Sequence, residues 1–281
     1  MEWKSYENLN IPNEVTDSLK KQQGKYNLVE RLIYFINEGK YDDYSVSVLY
    51  SDEKVVALLV HTPPYPIQIV QLTINDDITS LVVKELIHKY HIQFGIAGDK
   101  TSTIHIANNI YNTWQEKSRE GVYVCHEVNK DFQTVQGETK VLSHEDYDLI
   151  KEWYRKSMID MNLEDELKHM TDEQEEKLIQ QWIEDEAGQF FIKDGVPVSF
   201  VKYAKVGRYF AHVGMVYTPR KYRKNGYAGR NVALITQRLL NDFEYTTLYT
   251  DLNNPTSNKI YKEIGYNQLA EFIKILPKSI N

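Results

Sequence analysis

The chain has 281 residues, enough for one large domain or two of ordinary size. Hydrophobic residues at 42% and charged residues at 26% exclude a disordered chain, and a formal charge of −7 sets the molecule as a whole against nucleic acid and anionic membranes. The one cysteine, Cys125, excludes an intramolecular disulfide and a cysteine-rich metal site, and its neighbours Val122, Tyr123, Val124 and Val128 mark a buried strand position.

Taken in chain order, residues 14–39 read as largely helical, with Leu28, Leu32, Phe35 and Ile36 at helical spacing. Ser45–Tyr50 and Val55–His61 read as strands joined by a turn, Thr62-Pro63-Pro64 interrupts the second, and Ile67–Leu72 is a third. Asp76–Tyr90 is a helix with Asp77 as its cap, Ile92–Ile96 a short strand, Thr101–Lys117 a helix and Gly121–Val128 a strand. In the second half, Ser143–Ser157 and Glu173–Glu184 are helical. Gln189–Ile192 and Pro197–Lys205 form a hairpin through Asp194-Gly195, and Phe210–Tyr217 is a strand. Tyr227–Asn241 is a helix, Thr246–Asp251 a strand, Pro255–Ile264 a helix, and Tyr266–Leu276 closes as one strand or two. Both halves run helices, three antiparallel strands, then helix, strand, helix, strand, so an approximate duplication with a boundary near 130–142 is expected. No apolar run reaches the ~18 residues of a membrane span, and Met1–Ser5 lacks the basic start of a signal peptide, so the expectation is a cytoplasmic protein with no membrane partner.

Residues 213–230 carry the first chemical signal. An apolar strand runs into a turn, Arg223-Lys224-Asn225-Gly226-Tyr227-Ala228, and the turn into a helix whose Ala228, Val232, Ile235 and Leu239 share a face. The first N–H groups of a helix have no internal partner and favour an anion, provided no side chain blocks the approach. Gly226 carries no side chain, and Ala228 and Gly229 are small. Arg220, Lys221, Arg223, Lys224 and Arg230 put basic charge around the turn, with no acidic residue between Thr218 and Arg230. The turn reads as a phosphate site, with an ordinary basic loop as the alternative.

The second signal is the segment from Leu248 to Tyr266. Asn254 before Pro255 is an N-cap followed by a first-turn proline, and Gly265 is the expected stop. Asn254, Ser257, Asn258 and Tyr261 recur at spacings that put them on one polar, uncharged face. Tyr261 is either a general acid or a half-buried packing residue.

Together the two segments resemble the GNAT superfamily of N-acetyltransferases. Arg223-x-x-Gly226-x-Ala228 is similar to its Arg/Gln-x-x-Gly-x-Gly/Ala acyl-CoA signature. Asn254–Asn258 with Tyr261-Lys-Glu-Ile-Gly265-Tyr266 resembles its Asn-rich helix start and Tyr-x-x-x-Gly-Phe/Tyr ending. The likeness covers residues 141–281. Val216-Tyr217-Thr218-Pro219 and Leu248–Leu252, with Thr62-Pro63-Pro64 in the first half, resemble a group of bacterial predicted acetyltransferases with an amino-terminal extension. The resemblance implies an α+β (α/β/α layered) GNAT fold in tandem, with a mixed, mostly antiparallel central sheet flanked by helices. It implies a degenerate GNAT-like domain over 1–135 and a catalytic one over 141–281.

The implied roles follow. The Val216, Tyr217 and Thr218 backbone pairs with the pantetheine arm of acetyl-CoA, the cosubstrate. Backbone N–H groups across Lys224, Asn225, Gly226, Tyr227, Ala228 and Gly229 hold the pyrophosphate. Asn254, Ser257 and Asn258 lie along the CoA arm, Tyr261 protonates the departing thiolate, and the amine attacks the thioester directly. Where several family members place a glutamate base, fourteen residues ahead of the turn glycine, this chain has His212. It is a base or a satisfied strand histidine; no metal is implied. The first half has Asp76 and Asp77 where the signature would fall, which would repel phosphate, so it is expected to lack CoA and to scaffold or to shape the acceptor pocket. The expected partner is a small-molecule or peptide amine, with Trp153, Tyr154, Glu164, Asp165 and Trp182 in the region that usually contacts it, and the protein a monomer or homodimer. The reading from another class is a CoA-binding sensor or scaffold without turnover.

Overall fold

Alternating apolar residues along the first strands assign them to two helical layers. On β2 (Ser45–Ser51), Val46, Val48 and Tyr50 face one way and Leu49 the other; on β3 (Lys54–His61), Leu58 and Val60 oppose Ala57 and Leu59. The first set packs under α1 (Asn13–Lys20) and α2 (Asn27–Asn37), through Val15, Leu19, Val29, Ile33 and Ile36. The second packs under α3 (Asp76–Lys89) and α4 (Lys100–Ile110), through Ile78, Val82, Leu86 and Ile106. The result is a sheet between two helical layers, the mixed α+β architecture expected.

The computed structural model describes the chain apart from residues 8–9, 133–134, 162, 169, 208 and 279–281 and the side chains of 165 and 166, so the Asp165 side chain lies outside the described residues. The chain forms two compact units. The first comprises Met1–Tyr123, Tyr249–Asn258 and Gln268–Asn281, the second Val124–Leu248 and Lys259–Asn267. Strand order in the first is β1 (Glu2–Tyr6), β2, β3, β4 (Ile67–Gln71), β5 (Ile96–Asp99), β12 (Asn267–Pro277) and β6 (Trp114–Cys125). The chain's last strand therefore pairs with β5, with Phe272 opposite Asp99 and Ile275 opposite Ile96. In the second unit the order is β11 (Tyr245–Asp251), β10 (Phe210–Tyr217), β9 (Val196–Val206), β8 (Gly188–Lys193) and β7 (Glu138–Val141). There α5 (Tyr147–Asp160) and α7 (Asp172–Glu184) cover Phe190, Phe200 and Tyr217 with Trp153, Tyr154 and Trp182. The opposite face receives α8 (Tyr227–Leu239), where Phe191 meets Tyr227 at 5.9 Å between ring centroids. The short α6 spans Glu164–Lys168 and α9 spans Pro255–Ile264. Among the described residues no helix is long and apolar enough to cross a membrane, and no cluster of metal-ligating side chains exists.

Several elements differ from the sequence reading. The helical stretch 14–39 is two helices, broken where Gln23 and Gly24 take positive φ. The cap of α3 is Asn75, not Asp77: its Oδ1 accepts from Ile78 N at 2.8 Å. The strand placed at 92–96 lies at 96–99, after a single 3-10 turn at Ile92–Phe94. The helix expected to reach Lys117 ends at Ile110, and β6 begins at Trp114. The edge strands β1 and β7 carry mostly exposed residues, so they lack the alternation that reveals a half-buried strand.

Candidate functional site

The expected anion turn has an open geometry. Nine residues, 218–226, separate β10 from α8. Gly226 is the N-cap in the left-handed region (φ 77°, ψ 0°), and no side chain caps the helix among the described residues. Lys224 is also left-handed, at φ 65°. Such a succession turns backbone N–H groups toward one side. The first closed turn is Arg230 N to Gly226 O at 3.0 Å, so the N–H groups of Tyr227, Ala228 and Gly229 precede it. Among the described residues, a methyl group on Gly226 would meet only Val135, at 3.5 Å, whereas one on Gly229 would press Ile260 and Phe132 at 3.0 and 3.1 Å. Gly226 thus keeps an approach open, and Gly229 lets the helix pack closely.

The side chains of the turn bind the protein itself. Arg223 pairs with Asp160 at the end of α5 and donates through Nε to Thr218 O at 2.9 Å. Asn225 Nδ2 donates to Tyr222 O and Arg223 O, both at 3.1 Å. Arg223 and Asn225 therefore shape the turn from within. Beside it a cleft of 660 Å³ is lined by Trp153, Lys156, Asp160, Tyr217, Arg220 and Tyr222, among others.

β10 has a second opening. Its parallel ladder with β11 runs over Phe210–Tyr245, Ala211–Thr246 and His212–Thr247. On its other edge β10 continues against β9 to Tyr217, with a register shift between Gly214 and Val216 where Met215 takes φ 30°. A bulge bends a strand and re-aims its side chains. Val216, Tyr217 and Thr218 lie beyond that bulge. Thr218 Oγ1 donates to Ser199 Oγ at 3.1 Å. No residue pattern announced the bulge except Gly214 in an otherwise bulky strand.

His212 is buried, with Nδ1 3.1 Å from Thr247 Oγ1. On α9, Asn254 Oδ1 accepts from Ser257 N at 3.1 Å, which makes Asn254 the cap that its position before Pro255 indicated. Asn258 Nδ2 donates to Asp251 O and Leu252 O at 3.1 and 3.3 Å, while its buried Oδ1 has no protein partner among the described residues. Tyr261 is half-buried, and desolvation pushes its hydroxyl up to about 12, so the proton stays on through neutral pH. Its ring stands edge-on to Tyr266 at 6.1 Å. The Tyr266 hydroxyl is fixed between Thr236 Oγ1 at 2.7 Å and Thr246 Oγ1 at 3.0 Å. Tyr266 was read only as the end of a motif; its role as a brace emerges from the fold. Trp153, Tyr154 and Trp182 are core residues, and Trp153 also lines the cleft.

Residues 147–266 match the acetyltransferase (GNAT) family. Solved structures similar to the whole chain include an acetyltransferase of the GNAT family from Colwellia psychrerythraea (TM-score 0.60, 10% identity, 99% of this chain and 100% of that one). A GCN5-related N-acetyltransferase from Kribbella flavida is comparable (0.60, 12%, 96% and 97%). So is a tandem GNAT protein from the clavulanic acid biosynthesis pathway (0.53, 9%, 98% and 97%). No curated protein matches in sequence.

Proposed function

We propose, on the premise that residues 147–266 are a domain of the acetyltransferase (GNAT) family, that this protein is an N-acetyltransferase using acetyl-CoA and a primary amine of a small molecule or peptide. The observation that carries this is the start of α8: backbone N–H groups without a side-chain cap, a glycine at the closest approach, and basic residues around it. A pyrophosphate fits such a cradle, and Lys224, Asn225, Gly226, Tyr227, Ala228 and Gly229 would hold it. The backbone of Val216, Tyr217 and Thr218, beyond the last β10–β11 pair at His212–Thr247, would accept the extended pantetheine arm.

The cosubstrate supplies an activated acyl thioester. The rest falls to the chain's own groups. As the amine nitrogen bonds to the acyl carbon and the carbon–sulfur bond breaks, Tyr261 gives its hydroxyl proton to the leaving sulfur. The proton lost by the nitrogen goes to His212 Nε2, whose Nδ1 is held against Thr247, and solvent restores both groups. Positioning of two reactants supplies much of the acceleration in such a transfer.

The test is Tyr261→Phe. We expect kcat to fall roughly 10²- to 10⁴-fold, the range for loss of a general acid, with acetyl-CoA affinity unchanged. Unaltered turnover would remove Tyr261 from the mechanism. Acetyl-CoA at about 100 times its dissociation constant should add about 2.7 kcal/mol of stability; no thermal shift at millimolar ligand would sink the reading as a whole.

A further inference from the structure

On α8, Arg230, Ala233 and Gln237 stand three and four residues apart, so they share one face of the helix. The loop that follows β6 covers that face within the second unit. Asn129 N donates to Ile264 O at 2.7 Å and Phe132 N to Asn129 O at 3.1 Å, while Asp131 N donates to Asn129 Oδ1 at 3.1 Å. These bonds fix the loop. The Phe132 ring comes within 3.1 Å of the place a methyl group on Gly229 would take, so the glycine lets the loop close on the helix. Between loop and helix lies a cavity of 280 Å³, lined by Asn129, Lys130, Phe132, Arg230 and Gln237, among others.

Arg230 differs from the other arginines of this unit. Arg155 forks onto Glu175, Arg220 and Arg223 meet Asp160, and Arg238 donates to the Tyr203 hydroxyl at 3.1 Å. The Nε of Arg230 is buried and has no hydrogen-bond partner among the described residues. A buried donor without a partner calls for an ion or a water that completes it. The cavity's other polar groups suit an anion. Lys130 stands at the rim, with its side chain 88% exposed and only a loose contact of 3.9 Å to Glu127. The Oδ1 of Asn129 is taken by Asp131 N, which leaves its Nδ2 to donate. Among the described residues no acidic side chain lines the cavity.

We infer that this cavity binds a phosphomonoester. Such a group carries a charge of about −1.5 to −2 at neutral pH, which two cations match and a carboxylate does not reach. Its several oxygens suit a guanidinium fork with amide donors beside it. Two sources share that chemistry: the adenosine 3′-phosphate of CoA and free phosphate. Arg230 N closes the first turn of α8 onto Gly226 O at 3.0 Å. Arg230 therefore stands one helical turn, about 5.4 Å, past the glycine of the turn. The ribose of CoA carries its 3′-phosphate beside the 5′-pyrophosphate, so the 3′-phosphate is the nearer source. That source rests on the acetyl-CoA reading above; phosphate binding in the cavity does not.

The experiment is calorimetric titration of the full chain with CoA, dephospho-CoA and inorganic phosphate. CoA should bind at least ~10-fold more tightly than dephospho-CoA, the worth of one charged hydrogen bond. Arg230→Gln should bring the ratio of the two affinities close to one, and Lys130→Gln should lower it. Lys130 is exposed, so its variant decides the matter even where Arg230→Gln fails to fold. A ratio near one in the parent, with inorganic phosphate bound by the parent and not by Arg230→Gln, would keep the cavity and make free phosphate its ligand. A CoA preference that survives both substitutions would overturn the inference, as would a parent with neither the preference nor phosphate binding. If CoA and dephospho-CoA both fail to bind, the acetyl-CoA reading falls and the phosphate titration alone decides the cavity. If the two bind equally and phosphate does not bind, the cavity falls and the acetyl-CoA reading stands.

Discussion

The corner from β4 into α3 and the corner from β10 into α8 hold the same place in the order of elements, and each follows a parallel ladder of three residue pairs. They diverge after it. In the first corner four residues, 72–75, lead into a helix capped by Asn75 and opened by Asp76 and Asp77. The Gln71 carbonyl is taken by the Tyr26 hydroxyl at 3.2 Å, and Leu72 N and Thr73 N donate to Val56 O. Its polar groups are spent on the protein. In the second corner nine residues precede an uncapped helix without an acid in its first turn. The two corners thus share their place in the fold but not their polar chemistry. The difference lies in whether the orphan N–H groups are given a partner and what charge stands beside them.

The sharpest way to break the comparison is to rewrite one corner as the other. Ala228→Asp puts in α8 what Asp77 is in α3. One unit charge about 4 Å from a phosphate charge costs on the order of 4 kcal/mol near a protein surface. Acetyl-CoA affinity should therefore fall about 10²- to 10³-fold by calorimetry. The helix itself should gain a few tenths of a kcal/mol from an acid in its first turn, so Tm should not fall. Retained affinity would show that the α8 start is not the anion site.

The next effect contrasts two buried carboxyls. Glu175 of the second unit is desolvated, but Arg155, at 2.6 and 2.7 Å, and Lys151 outweigh burial and lower its pKa. Glu30 of the first unit is buried with Oε1 unpartnered among the described residues, and desolvation pushes it up to about 7, with Lys20 only partly opposing. A raised carboxyl binds its proton more tightly when folded, so its contribution is full below the unfolded pKa near 4.5 and is lost as pH rises through about 7. The loss amounts to about 3 kcal/mol at most. Glu30→Gln should flatten the fall in Tm between pH 5 and 8 and stabilise the protein at pH 8. An unchanged slope would mean that Glu30 ionises without penalty.

These contrasts also show what the sequence could carry. Local chemistry was readable: the basic, small-residue turn, the Asn254-Pro255 helix start, the Asp194-Gly195 hairpin and the buried Cys125 all depend on near neighbours. Pairing between distant segments was not. Nothing in Asn267–Pro277 specifies that it lies against β5, because an alternating strand fits any sheet edge of matching register. The bulge at Met215 arises from the register against β9, and the Tyr266 brace needs Thr236 and Thr246 brought from two other elements. The Asn75 and Asp77 mistake is of a smaller kind: both residue types cap helices, and only backbone geometry decides which one does.

That last residue supplies the mildest test. Asn75 in extended conformation accepts from Ile78 N, the bond that the start of α8 lacks. Asn75→Ala removes it and leaves Asp76 and Asp77 in place. The loss of a cap costs about 1 kcal/mol, which for a protein of this size lowers Tm by about 2–4 °C. Acetyl-CoA affinity should not change, since the freed N–H groups stand beside two carboxylates that repel phosphate. A gain of acetyl-CoA binding in this variant would mean that capping alone, without the acidic pair, keeps the first corner closed. The charge contrast between Asp76-Asp77 and the basic turn would then be incidental.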